Sequence, residues 1–236
     1  MALPKLNTNL VHETTVPSTG QRVKFRPFLV GEEKLFLIAA QSESIRVLYD
    51  TIKRVVDQCV ETEGFDVNSL KGYDLDYLFL QLRAKSVGET EDLQVKCGEC
   101  DTVNGYRIDF ENGVTVSTNT ASDRADLGGI TISLREPDID TLIAIQENTG
   151  DETEMAFTVI EYIIDKVYTD EEVFDFASES SADRQEFIQS MTSAQLANVF
   201  EYVQGMPQVT MDISFACGKC GTENVRTLKG VADFFG

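Results

Sequence analysis

Leu93-Gln94-Val95-Lys96-Cys97-Gly98-Glu99-Cys100 and Ile213-Ser214-Phe215-Ala216-Cys217-Gly218-Lys219-Cys220 are the stretches on which the reading of this chain turns. Each leads an alternating apolar run into a Cys-x-x-Cys turn. In the first, Leu93, Val95 and Cys97 share one side, the turn runs from Asp101 to Gly105, and Tyr106, Ile108 and Phe110 resume the alternation. In the second, Val209, Met211, Ile213 and Phe215 approach Cys217, Gly221 closes the turn, and Val225 to Leu228 leave it. Period-two alternation on both sides of a turn predicts a β-hairpin. A thiolate pair on a hairpin offers two soft ligands on one side, half of a tetrahedral four-cysteine zinc site. Cys97, Cys100, Cys217 and Cys220 are therefore the expected ligands of one metal ion.

The spacing tests that expectation. The two turns are separated by 116 residues, Cys100 to Cys217, where compact four-cysteine sites have about 15–20 between pairs. Loop-closure cost rises about 0.6 kcal/mol per doubling of length, so the longer connection adds roughly 2 kcal/mol. Structural zinc contributes on the order of 10–16 kcal/mol in small fingers. Metal binding outweighs the closure cost, and a folded insertion would hold its own ends together.

Composition narrows the class. The chain has 236 residues and is 42% hydrophobic, enough for a sizeable core in one large domain or two smaller ones. No apolar run approaches the roughly 18–20 residues that span a bilayer, and Met1-Ala2-Leu3-Pro4-Lys5 lacks a signal-peptide pattern, so the expected compartment is cytoplasmic, with no membrane partner. Cysteine pairs in a reducing compartment hold metal or do redox work more often than they form structural disulfides. A net charge of −20 argues against nucleic-acid binding, which needs clustered Lys and Arg. Between Asp138 and Glu201, 16 acidic residues face only Lys166 and Arg184, either a solvated surface or a face for a basic partner.

Outward from the cysteines, Leu10–Val16 and Gln21–Phe28 read as a hairpin turned by Pro17-Ser18-Thr19-Gly20. The sole histidine, His12, lies in its first strand and reads as an ordinary surface or packing residue; without a second histidine a two-histidine metal site is excluded. Helices are expected from Gly31, over Ser44–Val60 and over Asp74–Ser86, with Cys59 buried on the apolar stripe of the second. Asn112–Gly129 reads as a loop or weak edge strand, and Ile130, Ile132 and Leu134 as a half-buried strand ended by Pro137. A run of helices follows over about 138–146, 152–167, 170–176, 182–190 and 193–204, with Thr169 and Thr192 as N-caps.

The expected fold is thus α+β: an N-terminal β-hairpin and helices, then two Cys-x-x-Cys knuckles forming a zinc-ribbon-like module, with an α-helical insertion between them. The expected division is 1–137, with the first knuckle; 138–205, the acidic helical insertion; and 206–236, the second knuckle. Four thiolates fill the coordination shell and leave no position for water or substrate, so the zinc would be structural. No phosphate loop, dinucleotide fingerprint, nucleophile elbow or EF-hand spacing occurs, and no catalytic, cofactor-binding or small-molecule residues are assigned. Two rivals remain. A thiol-disulfide oxidoreductase would place its reactive cysteine at a helix start, whereas both turns here lead into strands. A zinc-ribbon nucleic-acid binder is disfavoured by charge.

Several stretches carry a resemblance: Met1-Ala2-Leu3-Pro4-Lys5-Leu6-Asn7, Phe25-Arg26-Pro27-Phe28-Leu29-Val30 with Glu32-Glu33-Lys34, Asp76-Tyr77-Leu78-Phe79-Leu80 with Arg83-Ala84-Lys85-Ser86-Val87-Gly88-Glu89, both Cys-x-x-Cys turns, and Leu228-Lys229-Gly230-Val231-Ala232-Asp233-Phe234-Phe235. In order and combination the chain resembles the baseplate hub proteins of T4-like contractile-tailed bacteriophages, myoviruses and cyanophages among them. The resemblance implies a non-enzymatic hub component or hub assembly factor whose partners are other phage hub and tail proteins. It would act in the host bacterial cytoplasm during assembly, with the virion tail baseplate as a second location. Arg83-Ala84-Lys85-Ser86 and Asp233-Phe234-Phe235 are the expected places for partner contact, the alternative for the phenylalanines being a return into the core.

Overall fold

In a computed structural model of the chain, residues 10–42, 44–118, 121–148 and 152–235 are described. The opening Met1–Asn7 stretch, Asn119 and Thr120 of the polar loop, and the side chain of Phe235 lie outside the described residues. The architecture is mixed α+β. In chain order the elements are β1 (His12–Thr15), β2 (Arg22–Phe25), α1 (Val30–Ala40), α2 (Ile45–Cys59), α3 (Gly72–Ser86), β3 (Thr90–Lys96), β4 (Val103–Asp109), β5 (Thr115–Val116), β6 (Arg124–Asp126), β7 (Thr131–Leu134), α4 (Ile139–Asn148), α5 (Glu152–Ile163), β8 (Ile164–Tyr168), β9 (Val173–Asp175), α6 (Ser181–Gln189), α7 (Ser193–Gln204), β10 (Val209–Ala216), β11 (Glu223–Lys229) and α8 (Gly230–Phe235).

Two compact units result, one from the residues up to Val116 together with Gln208 onward, the other from Ser117–Pro207. In the first, β1 and β2 form the expected hairpin, with Gly20 at φ 70 in its turn. His12 stacks its ring 5.7 Å from that of Phe25, a packing role. Ser44 caps α2 by accepting the N–H of Val47, and Ile52, Val55, Val56 and Cys59 are its buried face. Desolvation pushes the Cys59 thiol up to about 12, which leaves it protonated and inert. α3 buries Leu75, Leu78, Phe79, Leu80 and Leu82, more than one helical face, because α2 lies on one side and strand residues on the other.

The two cysteine hairpins complete this unit. β3 pairs antiparallel with β4 in a two-stranded sheet, and β10 lies between β11 and β5 in a three-stranded one. Leu80, Val95, Ile108, Phe110, Met211, Ile213 and Phe234 form the core beneath them. Val116 pairs with Val209 across β5 and β10. The chain therefore leaves this unit and re-enters it through neighbouring strands, which lowers the closure cost of the long connection. Gly113 lies in the tight link before β5, where an added Cβ would come 2.7 Å from the Asp109 carbonyl oxygen.

The second unit is a four-stranded antiparallel sheet, β6-β7-β8-β9, with helices packed on it. Ile132, Leu134, Ile160, Ile163, Ile164, Val167, Val199 and Tyr202 are its buried centre. Thr192 caps α7 as expected, accepting from the N–H of Gln195. Two expectations fail here. The helix expected to run on to Val167 stops at Ile163, and Ile164–Tyr168 forms β8, because this β-branched stretch finds a partner in β7, with Ile132 opposite Val167. The helix expected over 170–176 is instead a turn and β9. Thr169 Oγ1 accepts the N–H of Glu172 at 3.0 Å inside that turn and caps no helix. The polar stretch 112–129 yields the short strands β5 and β6. α8 went unread in the sequence because one turn carries no periodicity; the Asp233 carboxylate accepts the Lys229 N–H at 2.9 Å across its start.

Candidate metal centre

Each knuckle is fixed by its own backbone. Cys97 N–H donates to Thr102 O at 2.9 Å and Asp101 N–H to Cys97 O at 3.1 Å; Cys217 N–H donates to Thr222 O and Gly221 N–H to Cys217 O, both at 2.9 Å. The turn needs a left-handed residue at its fifth position, which Gly221 meets at φ 73 and Asp101 at φ 54. Both turns run straight into strands, β4 and β11. Among the described residues neither turn opens a helix, the setting in which the reactive cysteine of a redox pair commonly sits.

The hairpins bring the sulfurs together. Cys97 Sγ lies 3.7 Å from Cys220 Sγ, Cys100 Sγ lies 3.7 Å from Cys217 Sγ, and all four fall within 4.8 Å of one another. Thiolates arranged tetrahedrally about 2.3 Å from a zinc ion would stand about 3.8 Å apart. The set therefore has the span of a four-coordinate metal site. Cys97 and Cys217 are buried, Cys100 is half-buried and Cys220 is exposed.

At the two buried sulfurs the charge is prepared for. Backbone N–H groups of Glu99 and Cys100 hold the Cys97 thiol below its ordinary range. The same contacts from Cys220 and Lys219 bring Cys217 down to about 6. Amides aimed at sulfur favour the thiolate, the form that ligates metal.

Four further side chains belong to the site. Asn224 Oδ1 accepts the N–H of Gly98 at 2.9 Å, and Asn104 Oδ1 accepts that of Gly218 at 2.9 Å, each reaching to the opposite knuckle. Their Nδ2 groups donate to Thr222 O and Thr102 O, both at 2.8 Å, and approach Cys97 Sγ at 3.6 Å and Cys217 Sγ at 3.8 Å. Thr102 and Thr222 each place Oγ1 3.3 Å from the second sulfur of their own turn. The two halves are thus related by an approximate two-fold. Reading cysteines alone missed these residues, although the signal is in the sequence: Cys-Gly-x-Cys-x-Thr-x-Asn occurs at 97–104 and again at 217–224.

Beyond the site, several of the expected partner positions are tied into the fold, Ala84 and Phe234 being buried and Arg83, Lys85 and Ser86 half-buried. Arg83 is ion-paired with Glu91 and stacks 4.9 Å over the Phe110 ring, and Ala84 is buried. Lys85 bridges Glu89 and Glu111, and Ser86 Oγ accepts the Phe28 N–H. Phe234 is fully buried, 6.1 Å from Phe110 ring to ring. Asp233, by contrast, is exposed.

A family model described as T4 bacteriophage base plate protein matches residues 9–236. The chain belongs to the T4 bacteriophage base plate protein family. Neither a curated protein nor a solved structure gives a match. The base plate family match covers both cysteine hairpins and all that lies between them. A base plate protein is a structural part of the phage tail and works against other tail proteins. Among the described residues no helix is long and apolar enough to cross a membrane.

Proposed function

We propose that this base plate protein is a subunit or assembly factor of the baseplate hub, acting through protein-protein contacts, with one structural zinc ion held by Cys97, Cys100, Cys217 and Cys220. The observation that carries the metal reading is the convergence of four sulfurs from two distant hairpins into a 4.8 Å cluster. Zinc suits four thiolates in tetrahedral array and needs no redox change. When bound it supplies cross-linking and charge neutralisation. The chain's own residues do the rest: backbone amides and the two asparagines orient the thiolates, and the filled ligand set excludes water and substrate. This supports a non-enzymatic role, exercised in the host cytoplasm while the tail is built and, for a retained subunit, in the virion baseplate.

Metal analysis of protein purified under reducing conditions tests the centre: one zinc per chain, lost in Cys97→Ser, supports it. Metal-free protein with a readily reversible Cys97–Cys100 disulfide would favour the oxidoreductase alternative. For the hub role, phage lacking this chain should accumulate baseplate parts without a completed centre. Mass spectrometry of purified particles separates a retained subunit from a factor that leaves.

A further inference from the structure

The two-fold that relates the cysteine hairpins is broken at one place. A numbering offset of 120 carries Cys97 onto Cys217 and Asn104 onto Asn224, and it carries Tyr106 onto Arg226 and Val95 onto Phe215. Where β4 faces β10, Tyr106 and Phe215 close the seam, with ring centroids 6.3 Å apart. At the equivalent seam, where β3 faces β11, the corresponding residues are Val95 and Arg226. There the seam opens into a groove of about 430 Å³, lined by Leu93 to Lys96, Arg226 to Leu228 and Asp233. That volume falls in the ordinary range of ligand clefts, about 300–1,000 Å³.

Two features of the groove select its occupant. Both strands that line it are sheet edges: among the described residues β3 pairs only with β4, and β11 only with β10. Edge strands present unpaired N–H and C=O groups, which an extended peptide satisfies by adding a strand. Arg226 alternates on β11 with buried Asn224 and with Leu228, so its stem is on the groove side. Among the described residues neither Arg226 nor Lys96 has an ion-pair partner. The Asp233 carboxylate at the rim accepts the Lys229 N–H, so in a chain of net charge −20 the cleft carries two cations against one carboxylate, and a guanidinium pairs bidentately with a carboxylate.

We propose that the groove between β3 and β11 is the docking site for an extended, acidic segment of another baseplate protein. The segment lies along the two edges and sets a carboxylate against Arg226 and Lys96. This rests on the base plate assignment and does not depend on which metal the cysteines hold.

The test uses the full chain in phage-infected cells, with a photo-crosslinking amino acid at Gln94 in the groove or, as control, at Ser214 on the face of β10 turned away from the core. The Gln94 probe is expected to cross-link to an acidic segment of a different baseplate protein, and the Ser214 probe is not. Arg226→Glu should cut the Gln94 cross-link at least about tenfold, with Arg226→Lys recovering part of it and Lys96→Glu giving a smaller loss. Arg226 is exposed, so metal content and melting temperature of Arg226→Glu should match wild type. Cross-linking only to a second copy of this chain, no cross-link from Gln94, or an undiminished yield in both charge-reversed variants would each overturn the proposal. Incorporation of the chain into tails, scored separately by mass spectrometry of particles, reports on the base plate assignment itself.

Discussion

Asn104 Oδ1 accepts the backbone N–H of Gly218 at 2.9 Å, from the hairpin on the far side of the sulfur cluster. The mirror contact, Asn224 to Gly98, has the same length. Each asparagine thus holds the other half of the site, and the knuckles are braced to one another by protein groups as well as by any shared ion. Groups that orient the ligands of a metal commonly change affinity about 10–100-fold when removed.

Asn104→Ala should therefore weaken metal retention about 10–100-fold in chelator competition while leaving all four cysteines in place. It should also cost about 1–3 kcal/mol of stability, since the Gly218 N–H loses its acceptor. The approximate two-fold predicts an effect of similar size for Asn224→Ala. A negligible effect of both would show that the cysteine turns alone set the site.

Metal removal should act locally. A strong chelator added under reducing conditions is expected to raise hydrogen exchange in β3, β4, β10 and β11, whose knuckles converge on the sulfurs. The sheet of β7 and β8, with its own core of Ile132, Ile164 and Val167, should keep its protection. Uniform loss across the chain would contradict separate cores.

Asp76 gives a pH dependence. It is almost wholly buried in α3, accepts hydrogen bonds from the Tyr49 hydroxyl and the Val231 N–H, and keeps Oδ1 unpartnered. Desolvation raises its carboxyl to about 7. The folded state thus holds a proton that the unfolded chain, at an ordinary carboxyl value of about 3.9, releases. Its contribution is fully present below pH 4 and is lost as pH rises towards 7, by about 4 kcal/mol. Asp76→Asn should flatten this slope. The difference in unfolding free energy between variant and wild type should shift in the variant's favour between pH 4 and pH 8; equal slopes would mean that Asp76 stays ionised.

Phe234→Ala should destabilise the first unit by about 3–5 kcal/mol, because it empties a fully buried site against Phe110 in the core under the cysteine hairpins. Urea unfolding measures it. A partner-contact residue would leave the midpoint unchanged.

The sequence was most legible where local chemistry is strict. Alternation at period two specified both cysteine hairpins, and Thr192 was a recognisable cap because the N-terminal amides of a helix need a nearby side-chain acceptor. It was least legible where two local choices are close in energy. Ile164–Tyr168 reads as the end of an amphipathic helix until β7 supplies a ladder for it. Arg83 read as a partner contact and Phe234 as either a contact or a return into the core; what places each against Phe110, 27 residues from one and more than a hundred from the other, is tertiary packing.

By itself the sequence singled out the four cysteines, at matched spacing on strand-turn-strand patterns, as candidate metal ligands, and it determined the α+β class through its two periodicities. Only the tertiary structure decided that the four sulfurs meet within 4.8 Å, that each asparagine serves the opposite knuckle, and that one seam closes on Tyr106 and Phe215 while the other opens beside Arg226. Those outcomes are contacts between segments over a hundred residues apart, set by how two hairpins share one core, and no local preference encodes them.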